Sequence, residues 1–285
     1  MSLEIKPLTD DLLDEADRVL MAAFRSPSRR DELALYRALQ PDGWLVAALD
    51  GAPVGLGGVT CYGSFAYLGL MAVDPAMQRR GIGQALVEAL IVRGGELGSP
   101  VVLLDASDAG APVYERVGFV DDDRVRVYTR KTQPSPIGGA SDAGQRVTSL
   151  TQDDLPALVT FDARYFGVSR EAVLAMCLRL SADRALLTHD ATGAINGYLI
   201  AFEERIGPWV AATPEAANAL LAHALTLHYA AAPSVLVPAL NRDATELLER
   251  SGFRSSRELR HMRYGGEPDL QRRECLYGQA SFAIG

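Results

Sequence analysis

An α/β fold built twice over is the architecture the sequence predicts, and three observations predict it. Apolar runs that read as strands alternate with segments of helical periodicity along the whole chain. Residues 131–145, rich in Pro, Gly, Ser and small polar side chains, interrupt that pattern near the middle. The element order before the interruption returns after it, and "VYERVGF" at 113–119 is matched by "LLERSGF" at 247–253. Together they predict a first domain over 1–130, a linker over 131–145 and a second domain over 146–285.

Composition bounds the class. A chain of 285 residues is comfortable for two domains, and 48% hydrophobic with 22% charged residues is the balance of a folded globular protein. A formal net charge of −8 argues against non-specific nucleic-acid binding and suits a cationic partner or simply a solvated surface. Cys61, Cys177 and Cys275 are far apart and form neither a disulfide framework nor a metal-ligand spacing. The expectation is a protein of the reducing cytoplasm without a metal. "MSLEIKPLTD" lacks the apolar core of a signal peptide. The longest apolar run, around Ala219–Ala232, is broken by His223 and His228 and is too short to span a bilayer.

In the first half a strand is expected at Leu3–Pro7, then a helix from "DLLDEADRVLMAAF" and another over about Arg29–Leu39. "GWLVAALD", the Asp50-Gly51 turn and "PVGLGGVTCYG" read as a hairpin. Strand "FAYLGLMAV", helix "GIGQALVEALIVRGGELG", strand "VVLLDA", helix "APVYERVG" and a hairpin over Phe119–Arg130 follow. The second half repeats the series: strand "RVTSL", helices from "TQDDLPALVTF" and "SREAVLAMCLRL", and a hairpin "RALLTHD"/"AINGYLIAF". Strand "RIGPWVAA", helix "PEAANALLAHALTLHYA", strand "SVLVPAL", helix "RDATELLERSG" and hairpin "FRSSRELRHMRYG" close it.

One loop carries chemistry. In "VDPAMQRRGIGQAL" two glycines, Gly81 and Gly83, stand where a helix begins, beside Arg79 and Arg80. The first N–H groups of a helix have no intrahelical partner, and the helix dipole adds positive potential there. Glycines let a ligand approach them without meeting a Cβ, so the expected ligand is an anion with several oxygens, most simply a pyrophosphate. A Gly-rich helix start with no ligand is the bland alternative. Neither the dinucleotide fingerprint GxGxxG nor the Walker pattern fits the stretch.

The stretch "MAVDPAMQRRGIGQALVEAL" resembles the coenzyme A motif of the GCN5-related N-acetyltransferases, Gln/Arg-x-x-Gly-x-Gly/Ala, met here by Gln78, Gly81 and Gly83. "APVYERVGF" resembles that family's later Tyr-x-x-x-Gly-Phe segment, and the likeness covers about residues 1–130 in element order. It implies a tandem fold of two acyl-CoA N-acyltransferase-like domains with a splayed mixed sheet. Acetyl-CoA would be the co-substrate. Its pantetheine would pair with the backbone around Met71, Ala72 and Val73. Its pyrophosphate would lie on the N–H groups of Arg79, Arg80, Gly81, Ile82, Gly83 and Gln84. Tyr114 would protonate the departing thiolate as general acid, although a core tyrosine is the plain alternative. Ser107 stands where many relatives carry Asn on the cofactor side.

The implied activity is acetyl transfer to a primary amine of a small molecule or peptide, by direct attack through a tetrahedral intermediate. The resemblance implies no nucleic-acid or membrane partner and a monomer or homodimer. No general base is identifiable: the first half has no His, and Asp105 and Glu115 read as a strand-end carboxylate and a solvated helix residue. The acidic run at 121–124 reads as a solvated hairpin tip, or else as an attractor for a cationic acceptor. At the offset of the two heptapeptides Gly81 becomes Glu215, Gly83 becomes Ala217 and Tyr114 becomes Leu248. The second copy is therefore expected to keep the fold without the cofactor site and to shape the acceptor pocket through "DARYFG", or to form a dimer contact. Its "FDARYFGVSR" and "LYGQASFAIG" resemble the C-terminal domain of two-domain bacterial acetyltransferases. Two other readings compete. A mycothiol-synthase-like transferase usually keeps its active motif in the second half. A non-catalytic acyl-CoA sensor would keep the loop and have no use for Tyr114.

Overall fold

The computed structural model describes residues 2–130, 146–266 and 271–285, so the expected linker over 131–145 lies outside the described residues. The chain divides into two compact units that do not follow the sequence halves. Unit 1 is Met1–Asp122, Arg260–Pro268 and Phe282–Gly285; unit 2 is Asp123–Leu259 and Asp269–Ser281. Each unit completes its sheet with a strand drawn from the other half of the sequence.

In unit 1, β1 (Leu3–Pro7), β2 (Trp44–Leu49), β3 (Ala52–Cys61) and β4 (Phe65–Val73) are successive antiparallel neighbours. β5 (Val101–Ala106) lies parallel to β4. Beyond β5 comes the end of β12 (Arg254–Tyr264), whose residues Arg260–Tyr264 pair antiparallel with Val102–Ala106. The intervening helices are α1 (Leu13–Phe24), α2 (Arg30–Leu39), α3 (Ile82–Glu96) and α4 (Ala111–Val117). α3 buries Ile82, Leu86, Val87 and Leu90, a helical stripe that packs with Ala66, Leu68, Val102 and Leu104 of the sheet.

Unit 2 repeats the plan. β7 (Arg146–Ser149), β8 (Ala185–His189), β9 (Ile195–Ala201) and β10 (Arg205–Ala211) are successive antiparallel neighbours, and β11 (Ser234–Pro238) is parallel to β10. β6 (Val120–Thr129) adds its residues Val125–Thr129 antiparallel to β11. The helices are α5 (Leu155–Phe166), α6 (Glu171–Leu180), α7 (Pro214–Ala224) and α8 (Arg242–Arg250). A short strand, β13 (Leu276–Gly278), also pairs with β10.

Several sequence expectations change here. Phe119–Arg130 and "FRSSRELRHMRYG" are not hairpins but the single strands β6 and β12. The acidic run is not a solvated tip. In unit 1 Asp121 accepts from Arg260 Nε at 2.8 Å and Asp122 from Arg263 Nε at 3.1 Å; in unit 2 Asp123 accepts from Arg273 Nε at 2.9 Å. Three arginines far along the chain answer three consecutive aspartates, which leaves those carboxylates engaged rather than open to an acceptor.

"FDARYFGVSR" is also reassigned. Asp162 and Arg170 form a fully buried, two-pronged ion pair within unit 2, Nε to Oδ2 at 2.9 Å and Nη2 to Oδ1 at 3.0 Å. The Tyr198 hydroxyl donates to Asp162 Oδ1, and the Arg170 guanidinium lies 4.0 Å over the Phe166 ring. These side chains tie α5 to the start of α6 and to β9. The expectation that Asp162 and Phe166 shape an acceptor pocket is withdrawn, since both are buried in the interior of unit 2. Breaking one partner of such a pair strands a buried charge. Asp162→Ala should lower the unfolding free energy by about 3–5 kcal/mol in urea titration; a loss below about 1 kcal/mol would show that the pair is dispensable.

Unit 2 also supplies a pH test. Burial pushes the Tyr198 phenol well above its ordinary value and the Tyr229 phenol to about 12. The folded state therefore favours the protonated form more than the unfolded chain does. That contribution is intact below the ordinary value of 10 and is lost as pH rises through the raised values. Melting temperature should fall progressively above pH 10, and a Tyr229→Phe variant should lose part of that alkaline slope.

Candidate active site

The site begins where two parallel strands part. β4 and β5 pair only at Phe65–Val101, Ala66–Val102 and Tyr67–Leu103. On its other edge β4 stays with β3 but slips register between Leu56 and Gly58, a bulge that places Leu70 at φ 48. Beyond Tyr67 no described strand pairs with the β5-side edge of β4; Ala283 packs closely against Gly69, and it is Met71, Ala72 and Val73 that border an opening.

The loop after β4 folds back onto the strand end. Asp74 accepts from Ala76 N at 2.8 Å and caps a single 3-10 turn, Pro75–Met77. Gln78 donates from Nε2 to Val73 O at 3.1 Å, so its side chain fastens the loop to the strand. Arg79 at φ 63 and Gly81 at φ 80 then turn the chain into α3, and Gly81 at the N-cap offers no capping side chain. The helix ladder starts at Ala85 N to Gly81 O, 3.0 Å, which leaves the N–H groups of Ile82, Gly83 and Gln84 without a backbone acceptor among the described residues.

A cleft of about 730 Å³ joins these features. Met71, Ala72 and Val73 line it from β4, and Gln78, Arg79, Gly81, Ile82, Gly83 and Gln84 from the loop and α3. Ser107 and Tyr114 line it from the far side. Of the sequence-selected residues only Arg80 is not on its wall; it is exposed on the same turn. A Cβ at Gly81 would meet nothing within 4 Å, so the space over the helix start is open. Ser107 Oγ accepts from Gly110 N at 3.2 Å, which engages it in starting α4.

Tyr114 is 9% exposed, with its ring edge-on to Phe119 at 5.6 Å. Its hydroxyl has no hydrogen-bond partner among the described residues, and burial pushes the phenol well above its ordinary value. It is a neutral O–H donor on the wall of a cleft that ends in unmet backbone donors.

Two family descriptions match the sequence. Residues 12–119 match the acetyltransferase (GNAT) family, and residues 158–278 match a second acetyltransferase (GNAT) domain. The chain belongs to the GCN5-related N-acetyltransferase superfamily. It is a tandem GNAT protein, one such domain in each half of the sequence.

Among its relatives, the uncharacterised N-acetyltransferase YitH of Bacillus subtilis is 27% identical over 168 residues, 58% of this chain and 57% of that protein. Mycothiol acetyltransferase of Clavibacter michiganensis is 31% identical over 128 residues, 43% of this chain and 41% of that protein. The match therefore spans about half the length of these curated relatives, 57% of one and 41% of the other. The crystal structure of a putative acetyltransferase from Pyrococcus horikoshii superposes with a TM-score of 0.83 at 27% identity, over 99% of this chain and 96% of that one.

Within this GNAT frame, sequence reasoning missed three groups. Ala23 and Phe24 at the end of α1 line the cleft, as do Val113 and Arg116 of α4. The α1–α2 loop is pinned at its end: buried Asp17 accepts from Ser28 Oγ and Arg29 N, both at 2.7 Å. The third group is a buried polar cluster. His261 of β12 has Nδ1 2.8 Å from Asp105 Oδ1, and the Tyr67 hydroxyl donates to Asp105 Oδ2 at 2.5 Å. Tyr67 is the last residue of β4 paired to β5, so this bond bridges the two strands where they begin to part. No local signal could have joined His261 to Asp105, which lie 156 residues apart.

Asp105→Ala would leave both buried donors to find other acceptors, and should cost about 2–4 kcal/mol in urea unfolding. Asp105→Asn, which keeps shape and one acceptor, should cost less. Equal losses for the two variants would contradict a hydrogen-bonded role.

Proposed function

We propose that unit 1 binds acetyl-CoA and transfers its acetyl group to a primary amine of a small molecule or peptide. The observation that carries the reading is the continuity of the cleft. It runs from the unmet N–H groups at the start of α3, along an uncovered strand edge, to a buried phenol. That sequence suits a ligand with an anionic end, an amide-bearing arm and a thioester. The group fits these residues: Gly81 leaves the helix start open, and Arg79 adds charge beside it.

In this reading the N–H groups of Ile82, Gly83 and Gln84 hold the pyrophosphate, helped by Arg79 and Arg80. The backbone of Met71–Val73 hydrogen-bonds the pantetheine as an added strand would. The amine nitrogen attacks the thioester carbonyl carbon, and collapse of the tetrahedral adduct breaks the carbon–sulfur bond. Tyr114 gives its proton to the departing sulfur and recovers one from the nitrogen, which sheds it on becoming an amide. The burial that raises the phenol also penalises the thiolate, so both ends of that transfer shift the same way. No carboxylate or histidine lines the cleft among the described residues, so the ammonium loses its first proton to water.

Gly81→Glu puts a side chain and a negative charge on the pyrophosphate seat. Calorimetry should find micromolar-range binding of acetyl-CoA by the wild type, on the order of −8 kcal/mol, and none by the variant. Unchanged affinity would sink the assignment. Tyr114→Phe should lower kcat by roughly 10²–10⁴-fold with little change in acetyl-CoA affinity, measured as thiol release against an amine library. Full kcat in that variant would make the tyrosine a packing residue.

A further inference from the structure

Unit 2 opens its sheet as unit 1 does and then closes it again. β10 and β11 pair in parallel only at Arg205–Ser234 and Ile206–Val235. On the opposite edge β10 slips register against β9 between Ile206 and Trp209, the counterpart of the slip in β4. The strands that end on α3 and on α7 therefore share a bulge on one edge and a short parallel pairing on the other. In unit 1 no described strand runs along that second edge, and its stretch Met71–Val73 lines the cleft. In unit 2 β13 runs along it antiparallel, with Trp209 opposite Gly278 and Val210 opposite Leu276.

The insert is held on both flanks. Gln279 N donates to Leu236 O of β11 at 2.9 Å, and Asn241 Nδ2 donates to Leu276 O at 3.1 Å. The fit is close at Gly278: a Cβ there would lie 3.2 Å from Ile206 O and 3.3 Å from Val235 Cγ1. Tyr277 is buried, its ring centroid 5.0 Å from that of Trp209.

The helix start beside it differs in the same sense. Matching the first helical residues, Ile82 and Pro214, sets Thr213 against Gly81 and Glu215 against Gly83, two positions away from the register the heptapeptides suggest. Thr213 Oγ1 accepts from Ala216 N at 3.2 Å, so this helix caps itself and carries its own carboxylate in the first turn.

We infer that β13 occupies in unit 2 the place that the amide-bearing arm of acyl-CoA takes in unit 1, so that the second domain is permanently filled by its own chain and holds no acyl-CoA. A peptide strand and a pantetheine arm present the same N–H and C=O groups to a strand edge, and only one can be there. The identification of the arm's place rests on the function proposed above; the filling of the β10 edge does not. Loss of the glycines then becomes a secondary matter, because a seat made hospitable again would still be taken.

Amide hydrogen exchange on the whole protein tests this, with acetyl-CoA as the probe. Without ligand, residues 209–211 should exchange at least roughly 100-fold more slowly than an unstructured chain, and saturating acetyl-CoA should change them less than about twofold. Residues 70–73 should slow by roughly tenfold or more when acetyl-CoA is added. Fast exchange at 209–211 in the free protein, or ligand-dependent slowing there, overturns the inference. No change at 70–73 overturns the proposed function instead, and leaves the 209–211 result to decide this one. As a second arm, the Thr213→Gly/Glu215→Gly double variant should bind no more acetyl-CoA per chain than wild type in calorimetry. An additional site in that variant would show that the helix start, not β13, keeps the ligand out.

Discussion

A strand edge left open inside a sheet is the constraint on which the rest of this molecule depends. Backbone N–H and C=O groups withdrawn from water must find partners, and an uncovered edge is a standing demand for a strand-like one. β4 and β10 both create that demand by leaving their parallel neighbours after a few residues. The chain answers it in two ways. In unit 2 the answer is covalently attached. In unit 1 the edge at Met71–Val73, the helix start and the cleft are what the function proposed above assigns to a co-substrate that binds and leaves.

The backbone around the unit 1 opening bears the cost of keeping it open. Of the non-glycine residues with positive φ among those described, Arg79 lines the cleft, Leu70 directly precedes Met71 on its wall and Arg25 directly follows Phe24 on its rim. Each is a strained conformation worth about 1–3 kcal/mol, of the kind that persists where the surroundings over-determine it. Here the surroundings are identifiable. The loop is fastened to Val73 by Gln78, and the parting strands are bridged at their last contact by Tyr67 and Asp105. The buried Asp162–Arg170 pair plays a comparable part in unit 2, tying helices rather than bracing an opening.

Much of this was legible in the sequence because it is local. Strand and helix order follows from periodicity, and the "QRRGIG" helix start follows from what unmet N–H groups and glycines do. Tyr114 is marked by the resemblance of "APVYERVGF" to the family's Tyr-x-x-x-Gly-Phe segment. What was not legible depends on partners far along the chain. β6 reads as a hairpin because its aspartates break the apolar alternation, yet those charges are matched by Arg260, Arg263 and Arg273. His261 looks idle until β12 is laid beside β5. "LYG" at 276–278 carries no mark of a strand that fills a slot, since its role is set by the shape of the gap and not by its own pattern.

The most direct measurement of the central claim is a crystal structure of the whole protein with coenzyme A. The account predicts pyrophosphate density against the N–H groups of Ile82–Gln84, an extended arm along Met71–Val73 ending near Tyr114, and no ligand along β10. Coenzyme A seated on α7, or bound away from the β4 edge, would contradict it.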